Sequence, residues 1–260
     1  MSYQIDLSGR VALVTGASSG LGAQFARVLA KAGAGVALAG RRVERLKSLR
    51  AEIEADGGDA HVVPMDVTDH DSIKAAVAHT ETDVGTIDIL VNNSGVATTQ
   101  KLVDVTPEDF DYVFDVNVRG AFFVAQEVGK RMIARSQGAA PGTFTGGRIV
   151  NIASMAGLRP LSRIGAYAMS KAAVIHMTKA MALEWGRYRI NVNAMCPGYI
   201  DTEINHHQWQ TDSGRKLVES MPRKRIGQPS DLDTVLMMLC ANESHFINGA
   251  VVEADDGASV

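Results

Sequence analysis

Within the stretch SMAGLRPLSRIGAYAMSK stand three side chains that together can move a proton: Ser154, Tyr167 and Lys171. Tyr167 and Lys171 are four positions apart, so on a helix they share one face. A free phenol titrates at about 10, and a neighbouring ammonium favours the phenolate and is expected to lower that value. Tyr167 would then protonate a carbonyl oxygen in reduction or remove the hydroxyl proton in oxidation. Ser154, expected just beyond a strand, would hold the same oxygen by a hydrogen bond. A tyrosine and lysine at this spacing also occur on ordinary helix surfaces, so the trio needs elements that aim it.

Those elements are legible as apolar runs. VALVT (11–15), GVALA (35–39), HVVPM (61–65), IDILVN (87–92), GRIVNIA (147–153), INVNAM (190–195) and GAVVEA (249–254) read as strands. Helical patterns lie between them, among them RRVERLKSLRAEIEA, DHDSIKAAVAHTE, PEDFDYVFDVNVRGAFFVAQEVGKRMIA and AYAMSKAAVIHMTKAMALEWG. Alternation of this kind predicts an α/β fold, a doubly wound parallel sheet with helices on both faces, and the near-continuous apolar strands agree with cover on both sides. No repeat or low-complexity linker divides the chain, so residues 1–260 are read as one domain. The segment SQGAAPGTFTGG is expected to be a surface loop. Residues 201–225, an irregular stretch after CPGYI, are expected to form a lid, because ligands of such sheets bind beyond the carboxyl ends of the strands.

The first strand runs into TGASSGLG (15–22). Gly16, Gly20 and Gly22 permit backbone angles and close approaches that a side chain would prevent, and a helix starting near Leu21 points free N–H groups into the turn with Ser18 and Ser19. Such a turn can hold a pyrophosphate, although a merely tight strand-to-helix turn would have similar composition. After the second strand, where an acidic residue commonly binds the adenosine ribose of NAD, this chain has Arg41 and Arg42. Guanidinium groups suit a ribose phosphate, which favours NADP(H) and leaves NAD(H) open; the alternative is that one or both merely begin a solvated helix. Asp66 and Val67, after the third strand, are placed to contact the adenine, and Asn93, Ser94 and Gly95, after the fourth, offer another close backbone approach.

The 260 residues are 46% hydrophobic and 21% charged with a net charge of −3, which is unlike a nucleic-acid-binding surface. Cys196 and Cys240 lack metal-binding or disulfide-framework spacing and read as buried thiols. The beginning of the chain shows no basic region followed by an apolar core, and no run is long enough to span a bilayer, so a cytoplasmic location without a membrane partner is expected.

TGASSGLG, NNSG, NVRG, the Ser154 strand end, YAMSK and CPGYIDT, in this order over essentially the full length, resemble the classical short-chain dehydrogenases/reductases. The resemblance implies a Rossmann-type sheet of about seven strands, a nicotinamide cofactor and a tetrad of Asn117, Ser154, Tyr167 and Lys171. It also implies that Asn117 helps hold a water linking Lys171 to solvent, that Lys171 binds the nicotinamide ribose, and that Pro197, Gly198, Ile200 and Thr202 line the nicotinamide. The family commonly forms homotetramers, through the helices flanking Asn117 and Tyr167 and through the last strand and tail. The expected substrate is a small ketone or secondary alcohol, with a 3-oxoacyl thioester as the favoured candidate and sugar, steroid or xenobiotic alcohols open. A catalytically silent nucleotide-sensing or structural protein is the competing reading. Two departures stand out: Ser94 replaces the usual alanine of NNAG, and the stretch between Asn117 and Ser154 is longer than usual.

Other features have plainer readings. His206 and His207 lack a convincing third metal ligand, so no metal is assigned and a polar lid contact is expected. Trp185 and the methionines of MTKAMALEW read as packing, as does Trp209, for which substrate contact stays open. Arg223, Lys224 and Arg225 read as solvated surface, with an anion-binding patch as the alternative.

Overall fold

A computed structural model describes residues 5–140, 143–203 and 205–260. The first four residues, Pro141 and Gly142 of the loop read from SQGAAPGTFTGG, and Ile204 of the segment 201–225 lie outside the described residues.

Seven strands, β1 (Val11–Thr15), β2 (Gly35–Gly40), β3 (Asp59–Pro64), β4 (Ile87–Asn92), β5 (Gly147–Ile152), β6 (Ile190–Pro197) and β7 (Val251–Ala254), pair in parallel in the order β3-β2-β1-β4-β5-β6-β7. Their order reverses between β1 and β4, which opens a crevice beyond the carboxyl ends. Along β1, Ala12 and Val14 face one core and Leu13 the other, and β2 repeats the alternation with Val36 and Leu38 against Ala37 and Ala39.

Helices cover both faces. The first core receives Phe25 and Leu29 of α1 (Gly20–Lys31), Leu46 of α2 (Val43–Ala55) and, later in the chain, Leu236 and Leu239. The opposite core receives Ile73 and Val77 of α3 (His70–Asp83). The long pattern beginning at PEDF does not form one uninterrupted α-helix: α4 (Pro107–Phe114) passes through a π-helical turn, Asp115–Gly120, into α5 (Ala121–Gly138). Thr106 caps α4 by accepting from the Asp109 N–H, and Pro107 suits its first turn. Next come α6 (Gly165–Trp185), two short helices after β6, α7 (His206–Trp209) and α8 (Asp212–Ser220), and then α9 (Asp233–Cys240).

Trp185 packs over Gly129, where a Cβ would stand 2.8 Å from the indole. The loop after α5 is pinned by Phe144, which is buried beneath the Arg135 guanidinium. At the amino ends of the strands, away from the crevice, Arg148 of β5 is buried and donates to the carbonyls of Ala241 and Asn242, tying the end of α9 to β5. Both cysteines are buried free thiols. Among the described residues no helix is long and apolar enough to cross a membrane.

Candidate active site

β5 ends at Ile152, and Ser154 follows in extended backbone at the start of a tight helical turn, Met155–Gly157. The Ser154 hydroxyl accepts from the Ala156 N–H at 3.1 Å, which leaves its own proton to donate outward. Gly157 sets this turn down on α6: a Cβ there would lie 2.7 Å from the Lys171 carbonyl carbon. Tyr167 and Lys171 lie one turn apart on α6, with the ammonium 5.7 Å from the phenol ring centre. Lys171 Nζ donates to the Ile152 carbonyl at 2.7 Å, so the lysine spans from helix to strand end.

The electrostatics differ from the expectation. Burial pushes the Tyr167 phenol upward, and a hydrogen bond with Ser154 opposes the rise. Burial also lowers Lys171 to about 8. Burial dominates both groups because a low-dielectric surround penalises each charged form, and the ammonium is engaged by the Ile152 carbonyl.

Asn117 sits in the π-helical turn, nearly inaccessible to solvent. The extra backbone loop turns its amide toward β4: Asn117 Oδ1 accepts from Val96 N at 2.8 Å, and Nδ2 donates to Val96 O and to Ser170 Oγ, both at 2.9 Å. Ser170 donates onward to the Tyr167 carbonyl at 2.7 Å. Gly95 completes the convergence, since a Cβ on it would be 3.4 Å from both Asn117 Oδ1 and Lys171 Nζ.

The glycine turn lies on the same rim. Gly16 and Gly20 adopt φ of +66° and +54°, and a Cβ on Gly22 would stand 2.3 Å from the Gly16 carbonyl oxygen. Ser19 begins α1 without capping it by its side chain; its hydroxyl instead accepts from Arg42 at 2.5 Å, and Ser18 accepts from the same guanidinium at 3.0 Å. Arg41 turns the other way, 3.8 Å from Asp66. Asp66 also accepts from the N–H and hydroxyl of Thr68, which hold its carboxylate low despite partial burial. Val67 is buried behind it, with its carbonyl 2.7 Å from where a Gly120 Cβ would stand.

Asn93 serves the turn through its amide: Nδ2 donates to the Thr15 carbonyl at 3.0 Å, while Thr15 Oγ1 accepts from the N–H groups of Asn93 and Ser94. Pro197 ends β6, Gly198 pairs with Ala254 and lies against Asp255, and Ile200 bridges to Gly227. Thr202 reaches back across the rim, its methyl 3.5 Å from a Cβ on Gly20. Leu21 packs at the margin of the first core.

The positive-φ glycines, the first turn of α1 with no side-chain cap, and the Arg42 guanidinium over the Ser18 and Ser19 hydroxyls put backbone N–H groups and positive charge together on this rim, an arrangement chemically able to meet a phosphate. Sequence reasoning did not single out Thr15, Gly157 and Ser170. Only their adjacency to motif residues could have signalled them, because each acts through a neighbour distant in the chain.

In the segment 201–225, His206 Nδ1 lies 3.0 Å from both oxygens of Asp201, and Trp209 stands edge-on to Tyr199 with ring centres 5.8 Å apart. Arg223 and Arg225 are ion-paired with Asp256, and Arg225 also with Asp231, so their charge is met within the chain.

The model of the short chain dehydrogenase family matches residues 10–213. Gluconate 5-dehydrogenase of Gluconobacter oxydans (strain 621H) is 38% identical over 256 residues, covering 98% of this chain and 96% of that one. The 3-oxoacyl-(acyl-carrier-protein) reductase of Thermotoga maritima is 36% identical over 251 residues, covering 96% and 98%. The crystal structure of a gluconate 5-dehydrogenase from Burkholderia cenocepacia J2315 in complex with NADP and tartrate superposes with a TM-score of 0.91 at 35% identity, covering 98% of this chain and 96% of that one.

Proposed function

The chain belongs to the short-chain dehydrogenase family, and from that premise we propose that it is an NADP(H)-preferring oxidoreductase interconverting a ketone and a secondary alcohol on a small polyhydroxylated substrate such as a sugar acid. The observation that carries this reading is the convergence of Ser154, Tyr167 and Lys171 with the glycine cradle on one rim of the sheet.

Gly16, Gly20 and Gly22 would admit the pyrophosphate, Ser18, Ser19, Arg41 and Arg42 the ribose phosphate, and Asp66 and Val67 the adenine. Gly95, Lys171, Pro197, Gly198, Ile200 and Thr202 would bound the nicotinamide end. When bound, the nicotinamide supplies or accepts the hydride. The protein's own task is the proton. Ser154 donates a hydrogen bond to the substrate oxygen, and Tyr167 gives that oxygen a proton in reduction or takes one in oxidation. Lys171, anchored on Ile152, limits the cost of phenolate, and Asn117, fastened to Val96 and Ser170, supports the route from Lys171 toward solvent.

A sugar acid is favoured over a 3-oxoacyl thioester because gluconate 5-dehydrogenases match in both sequence and structure. The pairing of Arg223 and Arg225 within the chain also weakens the case for an acidic carrier protein docking there. Residues 201–225 serve as the substrate lid. The apolar groove between α4, α5 and α6, about 660 Å³ and lined by Phe114, Val118, Phe122, Met177 and Trp185, suits the core of a homotetramer interface.

NADPH absorbance followed with sugar acids, polyols, simple ketones and 3-oxoacyl thioesters tests the reading, with NADH in parallel and Tyr167→Phe as control. Turnover of keto-sugar acids that Tyr167→Phe abolishes supports it. Preference for thioesters overturns the substrate class, and cofactor binding without turnover on any substrate favours the silent alternative.

A further inference from the structure

Asn92, at the end of β4, and its register partner Asn151 on β5 are 4% and 0% exposed, and Thr178 on α6 is 0% exposed. One hydrogen-bonded chain runs through all three. Asn92 Nδ2 donates to the Ala121 carbonyl at 2.7 Å and to Asn151 Oδ1 at 3.2 Å, Asn151 Nδ2 donates to Thr178 Oγ1 at 2.9 Å, and Thr178 donates to the Val174 carbonyl at 2.8 Å. Ala121 opens α5 directly after the π-helical turn that holds Asn117, and Val174 follows Lys171 by about one turn of α6.

We propose that Asn151 is a positioning residue for the proton transfer: bonded to Asn92 on one side and to Thr178 on the other, it fixes the spacing between the turn that carries Asn117 and the helix that carries Tyr167 and Lys171. The inference rests on the acid–base reading given above and extends it into the sheet.

The chain can run in only one direction. A carbonyl oxygen only accepts, so Ala121 and Val174 close the two ends. Asn92 must turn its amino group toward Ala121 and Asn151, Asn151 must then present its oxygen to Asn92 and its amino group to Thr178, and the single Thr178 proton goes to Val174. A buried polar chain with one arrangement resists displacement at either end, because each broken bond leaves a desolvated group. The next residue of β5 reinforces the grip: the Ile152 carbonyl accepts from Lys171, so successive residues of one strand hold α6 at two points. At the rim, Asn117 donates to Ser170 and ties the same turn to the same helix. Small displacements of reacting groups are costly to rate, so a spacer of this kind acts on catalysis without meeting the substrate.

The experiment compares Asn151→Leu, Thr178→Val, Thr178→Ser, the double variant Asn151→Leu/Thr178→Val and Tyr167→Phe with the parent. It measures kcat and KM on the substrate the parent turns over fastest, NADPH binding by fluorescence, thermal unfolding, and backbone hydrogen exchange by mass spectrometry. Asn151→Leu leaves Asn92 on Ala121 and Thr178 on Val174 but breaks the link between them. Its kcat is expected to fall ~10-fold, with KM and NADPH affinity within ~2-fold and an unfolding temperature close to the parent's. Exchange in the turn Asp115–Gly120 is expected to speed up ~5-fold in this variant, while that of α2 stays unchanged. Thr178→Val strands the Asn151 amide and is expected to lose kcat and unfolding temperature together, whereas Thr178→Ser keeps the hydroxyl and loses unfolding temperature alone. The double variant removes both partners, so it should regain unfolding temperature without regaining kcat. The proposal is overturned if Asn151→Leu keeps the parent's kcat or leaves exchange in the turn unchanged, or if Thr178→Ser loses as much kcat as Thr178→Val, the mark of a stability effect alone. Should Asn151→Leu not fold, the two threonine variants decide. If Tyr167→Phe keeps full activity, the acid–base reading itself fails; if Tyr167→Phe is inactive and Asn151→Leu is not impaired, only the role of Asn151 is lost.

Discussion

The two sides of the crevice are built by different physics. On the inner side, Lys171 is 4% exposed and tied to a backbone carbonyl, Asn117 is held by both polar groups of Val96, and Gly157 lets a backbone turn touch a helix. On the outer side, Arg45 of α2 meets Glu203 at 2.6 Å with side chains 50% and 61% exposed, Arg42 lies over two serine hydroxyls, and Arg225 bridges Asp231 and Asp256. Buried hydrogen bonds and contacts fix position and are little affected by salt, whereas exposed ion pairs are individually weak and screened. The inner side is therefore suited to holding reacting groups still, and the outer side to admitting and releasing what binds.

The sharpest way to break this contrast is at the phenol. Tyr167→Phe should lower kcat by ~10²–10⁴-fold, the range of a positioned general acid, while NADPH titration shows cofactor binding retained. In the parent, oxidation needs phenolate and reduction needs phenol. Because burial raises the Tyr167 value, the oxidation rate should keep climbing into the alkaline range while reduction falls, as paired pH profiles would show. A profile flat through that range would remove Tyr167 from the chemistry.

Next in size is Gly157→Ala, whose Cβ would meet the Lys171 backbone. Overpacking of this kind costs ~1–3 kcal/mol. It should appear as a kcat loss larger than any change in NADPH affinity, and equal losses in both would mean that the inner and outer sides are not separable.

Lys171 provides a stability test. Its value in the folded protein, about 8, is below the ordinary 10.5, so between these values the unfolded chain binds more protons. This group's contribution to stability is unfavourable below pH 8 and improves as pH rises through that window. The unfolding temperature of the parent relative to Lys171→Met should rise between pH 8 and 10, and a constant difference would contradict the burial argument.

At the outer edge, Arg42→Ala should reduce the preference for NADPH over NADH by ~10-fold, the worth of a charge-assisted hydrogen bond, and Arg41→Ala should do so less because Asp66 already engages it. Steady-state kinetics with both cofactors decide the order. Smallest is Glu203→Gln, expected to speed NADPH dissociation by no more than ~5-fold in low salt, an effect that should vanish near ~1 M salt. Stopped-flow release that is insensitive to salt would show that the Arg45–Glu203 pair does not restrain the rim.

Much of this organisation was legible along the chain. Each of the seven apolar runs became a strand with ends shifted by a few residues at most, since buried parallel strands need continuous apolar sequence. Ser154, Tyr167 and Lys171 were readable because proton chemistry restricts residue type and helical spacing. Three features were not. The π-helical turn that aims Asn117 has no pattern that distinguishes it from α-helix. The upward displacement of the Tyr167 phenol arises from surrounding density, which spacing does not report. Arg42, rather than Arg41, meets the serine hydroxyls because the start of α2 turns it back over the glycine turn.

By itself, the amino-acid sequence determined the alternation of strand and helix, the glycine positions where backbone must bend or approach closely, and which side chains are chemically able to move a proton or bind phosphate. Only the tertiary structure decided which of those groups meet, which charges are neutralised within the chain, and how far burial shifts each proton. The reason is that hydrogen bonds such as Lys171 to Ile152, and ion pairs such as Arg45 with Glu203, depend on separations set by the packed sheet, and desolvation is a property of everything surrounding a group.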